Sequence, residues 1–98
     1  MNASFQTALR VEVAHPALAG HFPGRPVVPG VVLLERVASA YATWRGARVG
    51  KLDAKFMQPL LPGEDAVIEL REDGARVRFQ VTGADGAALA RGSLEGAA

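Results

Sequence analysis

The chain has 98 residues, of which 49% are hydrophobic, so we expect one folded domain covering residues 1–98 and exclude intrinsic disorder. Eleven basic and ten acidic side chains give a net charge of +1, so no global charge favours nucleic acid or a membrane surface. The absence of cysteine excludes disulfides and thiolate chemistry. No signal-peptide pattern and no apolar run of membrane-spanning length is present, which predicts a cytoplasmic protein.

The first part of the chain predicts a strand followed by a long loop. Apolar residues alternate with polar ones between Phe5 and Val13, which is the pattern of a half-buried strand. Residues 14–30 then contain four prolines and three glycines, which no regular element tolerates. Loops of this length are uncommon inside small domains and usually carry function.

The next segment predicts a helix from Val31 to Arg45, ended by Gly46. Apolar or small side chains occur almost all round this helix, which is typical of a buried helix. We therefore expect the remainder of the chain to wrap around it.

The remainder predicts four strands in a meander. The predicted ranges are Val49–Met57, Ala66–Arg71, Ala75–Thr82 and Ala87–Leu94. The Asp-Gly pairs at residues 73–74 and 85–86 are typical of tight hairpins. One buried helix cradled by an antiparallel sheet is an α+β arrangement.

Three residues around the start of the helix are candidates for chemistry. His21 lies in a loop stiffened by prolines, and rigid placement suits a general base. Gly30 lies at the helix start, where unpartnered backbone N–H groups can bind an oxygen that gains negative charge. Glu35 is the one acidic residue of an apolar helix, and a carboxyl kept neutral can act as a general acid. Together they suit proton abstraction beside a carbonyl with loss of a β-leaving group.

Each candidate also has a structural interpretation. A lone histidine in such a loop is more often structural than catalytic. Arg36 or Ser39 could simply solvate Glu35, and a glycine at a helix start is commonly only a turn residue. The residue pattern alone leaves these alternatives open.

The segment His21-Phe22-Pro23-Gly24-Arg25-Pro26-Val27-Val28-Pro29-Gly30, followed by an apolar run and Glu35, resembles the signature of the hotdog-fold 3-hydroxyacyl-[acyl-carrier-protein] dehydratases of FabZ/FabA type. The likeness continues through residues 55–64, which read KFMQPLLPGE. A glutamate at position 35 is similar to the FabZ branch. The resemblance implies a long central helix wrapped by a five-stranded antiparallel sheet, and a lyase that forms trans-2-enoyl thioesters in fatty acid or polyketide and polyene synthesis.

The resemblance also implies roles for particular residues. His21 would take the α-proton, Glu35 would help the 3-hydroxyl leave, and the N–H of Gly30 would polarise the thioester carbonyl. Phe22 and Val28 would contact the substrate, which arrives on the phosphopantetheine of an acyl carrier protein. No metal or other cofactor is expected. Family dimers build each site from two chains, so we expect a homodimer or larger oligomer, or a heterodimer with another hotdog subunit.

The sequence also departs from the family pattern. Arg25 stands in place of the usual Asn, Val28 in place of Met, and Ser39 where a Gln often orients the acidic residue. The chain is shorter than typical members before the first strand, and short members of this kind resemble dehydratases of aryl-polyene or xanthomonadin-like pigment clusters. Alternatives are a non-catalytic subunit that completes a heterodimer or binds the carrier protein, and a hotdog thioesterase or enoyl-CoA hydratase.

Two further groups of side chains are candidates for binding. A metal site at His15 and His21 lacks a third ligand at suitable spacing. Four cations could form a basic rim for an acidic carrier protein, although such residues are more often a solvated face: Arg45, Arg48, Lys51 and Lys55.

Overall fold

A computed structural model describes residues 3–13 and 27–97. Within these ranges it has one helix and five strands, which agrees with the predicted α+β class. In chain order the elements are β1 (Ser4–Leu9), α1 (Gly30–Arg45), β2 (Val49–Phe56), β3 (Ala66–Asp73), β4 (Arg76–Gly83) and β5 (Ala88–Gly96).

The five strands form one antiparallel sheet in the order β1-β3-β4-β5-β2. The predicted four-strand meander is therefore wrong in one respect, because β2 pairs with β5 and not with β3. The connection from β2 to β3 contains Pro59 and Pro62 and makes its turn at Pro62-Gly63. A proline has no N–H to donate to a ladder, so this segment does not form a hairpin turn. The chain instead crosses over and continues as β3, which lies next to the strand at the opposite edge of the sheet. As a result β1 and β2 are the two edge strands.

The two predicted hairpins differ in their loops. Asp73 lies opposite Arg76 across β3 and β4, and Gly74 has φ +62°, so this is the expected two-residue turn. The second loop is wider, because Thr82 lies opposite Ala88 and the register shifts at Val81/Thr82. The N–H of Gly83 donates to the carbonyl of Ala87 at 2.9 Å and Gly86 has φ +87°, so the Asp-Gly pair at residues 85–86 marks a tight hairpin with a three-residue loop.

The first strand is shorter than predicted. It ends at Leu9, four residues before Val13. The carbonyl of Val11 accepts a hydrogen bond of 2.8 Å from the N–H of Gly63, in the turn after β2, and not from a neighbouring strand. Val13 is 69% exposed, so the alternating pattern continues to residue 13 although the strand does not.

The core lies between the inner face of the sheet and one side of α1. Along β4 the side chains of Val77, Phe79 and Val81 are buried while those between them are exposed, as the alternation predicted. The helix contributes Val32, Leu33, Val37, Ala40 and Tyr41 to the same core. Burial of each large apolar side chain stabilises the fold by roughly 1.5–3 kcal/mol.

The helix is not buried all round, so that expectation was wrong for a single chain. Val31, Glu35, Ser39 and Ala42 are exposed along its other side, and Val31 is 64% exposed. These positions are three or four residues apart and therefore share one face. The sheet of one chain covers only the opposite face. Within the described ranges no helix is long and apolar enough to span a membrane.

The C-terminal end of the helix is fixed by a left-handed glycine and an aromatic cluster. Gly46 has φ +64° and its N–H donates to the carbonyl of Ala42 at 2.8 Å. Trp44 stacks on Phe5 of β1, with ring centroids 6.2 Å apart. Arg45 lies over the Trp44 ring and forms an ion pair with Glu72. That hydrogen-bonded guanidinium lowers the pKa of the Glu72 carboxyl. Arg45 is thus paired and is not available to the predicted basic rim.

Candidate active site

The N-terminal end of α1 presents backbone N–H groups that the described residues do not use. The carbonyl of Pro29 accepts from the N–H of Val32 at 3.0 Å and from that of Leu33 at 3.3 Å. The N–H groups of Gly30 and Val31 have no backbone acceptor in residues 3–13 and 27–97. Together with the positive end of the helix dipole, they can stabilise an oxygen that becomes negatively charged.

The segment leading into the helix is held by the loop that follows β2. The N–H of Val28 donates to the carbonyl of Leu60 at 2.8 Å, and both side chains are buried in the core. This bond fixes the direction in which the chain enters the helix. The side chain of Val28 packs inward at this point, so its predicted contact with substrate stays a prediction.

Phe56, at the end of β2, lies directly against Gly30. A Cβ atom placed on Gly30 would be 2.9 Å from Cζ of the Phe56 ring, which is closer than real Cβ contacts. Glycine therefore lets strand and helix approach this closely without displacing the ring. The ring is 49% exposed and forms an apolar wall beside the N–H groups. Sequence reasoning did not assign Phe56 to the site, because no spacing signal joins a strand end to a helix start 26 residues earlier.

Glu35 lies five residues after Gly30, about 7.5 Å further along the helix axis at 1.5 Å per residue. Its side chain is exposed, so the expected burial of this carboxyl does not occur within one chain. Its neighbours on the same face are Val31, Ser39 and Ala42, which are apolar or uncharged. Arg36 does not neutralise it in the described structure, because the Arg36 guanidinium donates to the carbonyl of Arg10 at 3.2 Å.

The structure therefore places Gly30, Val28 and Glu35 on the first turns of α1 and the segment before it. The other predicted site residues, His21 and Phe22, lie outside the described residues, as does His15. Their positions relative to Glu35 stay predictions. The described part of the site can bind an oxyanion beside an apolar wall and supplies one carboxyl group.

Comparison with known proteins connects this site to a family. The family described as ApeI-like, ApeI dehydratase, matches residues 1–93. The 3-hydroxyacyl-[acyl-carrier-protein] dehydratase FabZ of Cronobacter sakazakii is 35% identical over 96 residues, which cover 86% of this chain and 62% of that protein. The chain thus spans somewhat less than two thirds of the curated relative it matches.

Solved structures show the same fold. The dehydratase heterocomplex ApeI:P from Xenorhabdus doucetiae matches with a TM-score of 0.82 and 21% identity, over 97% of this chain and 88% of that one. The (R)-hydratase from A. caviae involved in PHA biosynthesis matches with a TM-score of 0.73 and 17% identity, over 95% and 92%. These likenesses confirm the hotdog fold.

Proposed function

The chain belongs to the ApeI-like dehydratase family, and from this membership and its site we propose that it removes water from 3-hydroxyacyl thioesters carried on an acyl carrier protein. The product would be the trans-2-enoyl thioester. The observation that supports this most directly is the helix start, where the N–H groups of Gly30 and Val31 have no backbone acceptor among the described residues and lie beside the ring of Phe56. The carboxyl of Glu35 follows five residues further along the same helix. The cytoplasmic location expected from the sequence stays a prediction.

The proposed reaction assigns one step to each group. The N–H of Gly30 donates to the thioester oxygen, which gains negative charge as the α-proton leaves. The imidazole of His21 takes that proton. The bond from the β-carbon to its hydroxyl oxygen breaks, and Glu35, protonated at the start, gives its proton to the leaving oxygen directly or through a water. The hydroxyl leaves as water with the proton from Glu35, and the electron pair of the broken C–H bond forms the new double bond. Transfer of the α-proton from His21 to Glu35 through solvent then restores both groups.

A second copy of the chain would complete this site. Glu35 lies at the centre of an exposed helix face, and β2 is an edge strand whose outer hydrogen-bonding groups face away from the sheet. An edge strand is a template for pairing with another chain, and the exposed apolar side chains of Val31 and Phe56 near the helix start can be covered by one. Pairing of two chains at this side would enclose Glu35 and bring His21 of the partner toward it, as the family resemblance implies. We therefore propose a homodimer with cross-subunit sites.

The proposal is tested by incubating the purified chain with a 3-hydroxyacyl thioester, on pantetheine and on carrier protein, and following the enoyl absorbance. We expect turnover with both. A dimeric preparation that turns over neither substrate would overturn the proposed activity.

Replacement of Gly30 by alanine should weaken the oxyanion site without removing either catalytic side chain. The added Cβ would meet the Phe56 ring at 2.9 Å, so the ring or the helix start must move. Loss of one well-placed oxyanion donor costs about 10²–10³-fold in kcat, and a displaced one should cost about tenfold or more. The measurement is kcat and KM beside the midpoint of urea unfolding. A Gly30→Ala protein with normal kcat would place the oxyanion site elsewhere.

A second candidate function is a subunit of a heterocomplex that works only with a different hotdog chain. The observation that favours it is the match of residues 1–93 to the ApeI-like family, because the solved dehydratase ApeI:P is a heterocomplex. The two candidates differ in one result, because the homodimeric enzyme turns over substrate alone and the subunit does not. Thioesterase or hydratase activity gains no support from the structural matches, since those likenesses show the fold only.

A further inference from the structure

The edge strand β2 carries alternating charges on the outer face of the sheet. Lys51, Asp53 and Lys55 are all exposed and point to this face, since every second residue of a strand faces the same way. Within residues 3–13 and 27–97 none of the three lies within ion-pair distance of an opposite charge. An edge strand with lysines alone resists pairing with another chain, whereas the carboxylate between them offers a second copy an opposite charge.

A second copy that continues the sheet across a two-fold axis places its β2 antiparallel to this one. Residues directly opposite each other then have side chains on the same face, so outer charges meet outer charges. According to the register, Asp53 meets Asp53, Lys51 or Lys55 of the second copy. Like charges directly opposite each other destabilise a sheet, so the register that joins the two Asp53 carboxylates is disfavoured.

The neighbours of the two lysines on β5 distinguish the remaining registers. Lys51 lies opposite Glu95, whereas Lys55 lies opposite Arg91, a like charge. Gln80 lies opposite Arg91 on its other side, so no carboxylate in this row offsets the charge of Lys55. An added carboxylate therefore stabilises the sheet more beside Lys55 than beside Lys51.

The regular part of β2 favours the same register. Its pairing with β5 is continuous over residues 51–56 and irregular just before them. An antiparallel pairing centred on Ala54 stays within this regular part and brings Asp53 of each copy opposite Lys55 of the other. A pairing centred on Leu52 would extend into the irregular part, where the edge is less able to form a ladder.

The inner face agrees with the pairing centred on Ala54. Phe56, which is 49% exposed in one chain, comes opposite Leu52 of the second copy, so an apolar side chain covers its ring. Phe56 is two residues, or about 7 Å, from the axis along the strand, and it lies against Gly30. Both helix starts are thus near the axis, as sites shared between two chains require.

We propose that β2 recognises β2 of a second copy of this chain through Asp53 and Lys55, which form two identical ion pairs across the two-fold axis. The proposal rests on the homodimer of the proposed function and adds the residues that select the partner. In the register centred on Asp53 the same charges repel, so they favour one alignment over the other. A two-fold interface repeats every contact, so one reversed residue changes both pairs.

The test is sedimentation velocity on single charge reversals, alone and mixed in equal amounts. Asp53→Lys sets like charges opposite each other in both pairs, and Lys55→Asp does the same with the other sign. Each variant alone should therefore have a dimer Kd raised by about tenfold or more. The mixture has opposite charges in both pairs again, so the mixed dimer should have a Kd within about threefold of that of the unaltered chain.

The matched control uses Lys51→Asp in place of Lys55→Asp, which makes the same change of net charge on the same face. Alone it should dimerise like the unaltered chain. Mixed with Asp53→Lys it leaves one pair of lysines opposite each other, so this mixed dimer should stay several-fold weaker. Equal recovery by the two mixtures, or an unaltered chain that stays monomeric at micromolar concentration, would overturn the proposal.

Sedimentation reports association whether or not the chain turns over substrate, so failure of the dehydratase activity and failure of this pairing give different results. Recovery on mixing also shows that both reversed chains fold, because an unfolded chain restores no dimer. The neutral change Asp53→Asn removes the attraction without adding a repulsion and provides a milder variant. It should weaken the dimer several-fold at an unchanged circular dichroism spectrum, and an unchanged Kd would contradict the proposed ion pairs.

Discussion

Glu35→Gln should lower kcat by about 10²–10⁴-fold, the usual contribution of a positioned general acid, and leave the fold intact. The amide keeps the size and polarity of the side chain but cannot give a proton to the leaving hydroxyl. Glu35 is exposed in one chain and has no ion pair among the described residues, so its replacement removes no interaction that stabilises the monomer. Surface changes of this kind alter the free energy of unfolding by only about 0.5 kcal/mol.

The measurement is steady-state enoyl formation beside urea unfolding, with Glu95→Gln as the matched control. The substitution at Glu95 is the same chemical change, made on the outer face of the sheet. The ion pair of Glu95 with Arg76 is partly exposed there and contributes little to stability. The control should keep kcat within twofold. A Glu35→Gln protein as active as the control would remove this carboxyl from the mechanism. A protein that is inactive because it no longer folds would show a lower urea midpoint.

Much of the fold follows from local sequence signals. The alternation in β4 gave its buried face, the glycine at position 46 gave the end of the helix, and the Asp-Gly pair at 73–74 gave a two-residue turn. Each of these depends on residues within a few positions of one another. Local patterns are therefore sufficient for them.

The strand order could not be obtained in this way. Pairing of β2 with β5 joins segments about 40 residues apart, such as Leu52 and Leu94. The periodicity of a strand does not indicate which other strand it pairs with. The contact of Phe56 with Gly30 has the same origin, since it depends on where β2 ends in three dimensions. Tertiary packing decided both.

The exposure of Glu35 shows a different limit. Apolar and small residues round the helix predicted burial, and the prediction treated one chain as the whole unit. In the structure the sheet covers one face, and Val31, Glu35 and Ala42 remain uncovered on the other. The exposure of this face is accounted for when a second chain covers it. The helix face that is exposed in a single protomer would thus be buried in a dimer, as the apolar composition of the helix predicted.

His21→Ala should reduce kcat by a factor similar to that of Glu35→Gln, because no other group is proposed to take the α-proton. The more informative result comes from refolding the two variants together. In a two-fold dimer with cross-subunit sites, the mixed dimer unites the intact His21 of one chain with the intact Glu35 of the other. Random mixing makes about half the dimers mixed, each with one working site of two, so about a quarter of the unaltered activity should return. Mixing with doubly substituted chains serves as the control and should restore nothing. If activity stays at the level of the single variants while light scattering shows mixed dimers, each site is contained in one chain. The exposed face around Glu35 would then have to be covered by something other than a second copy.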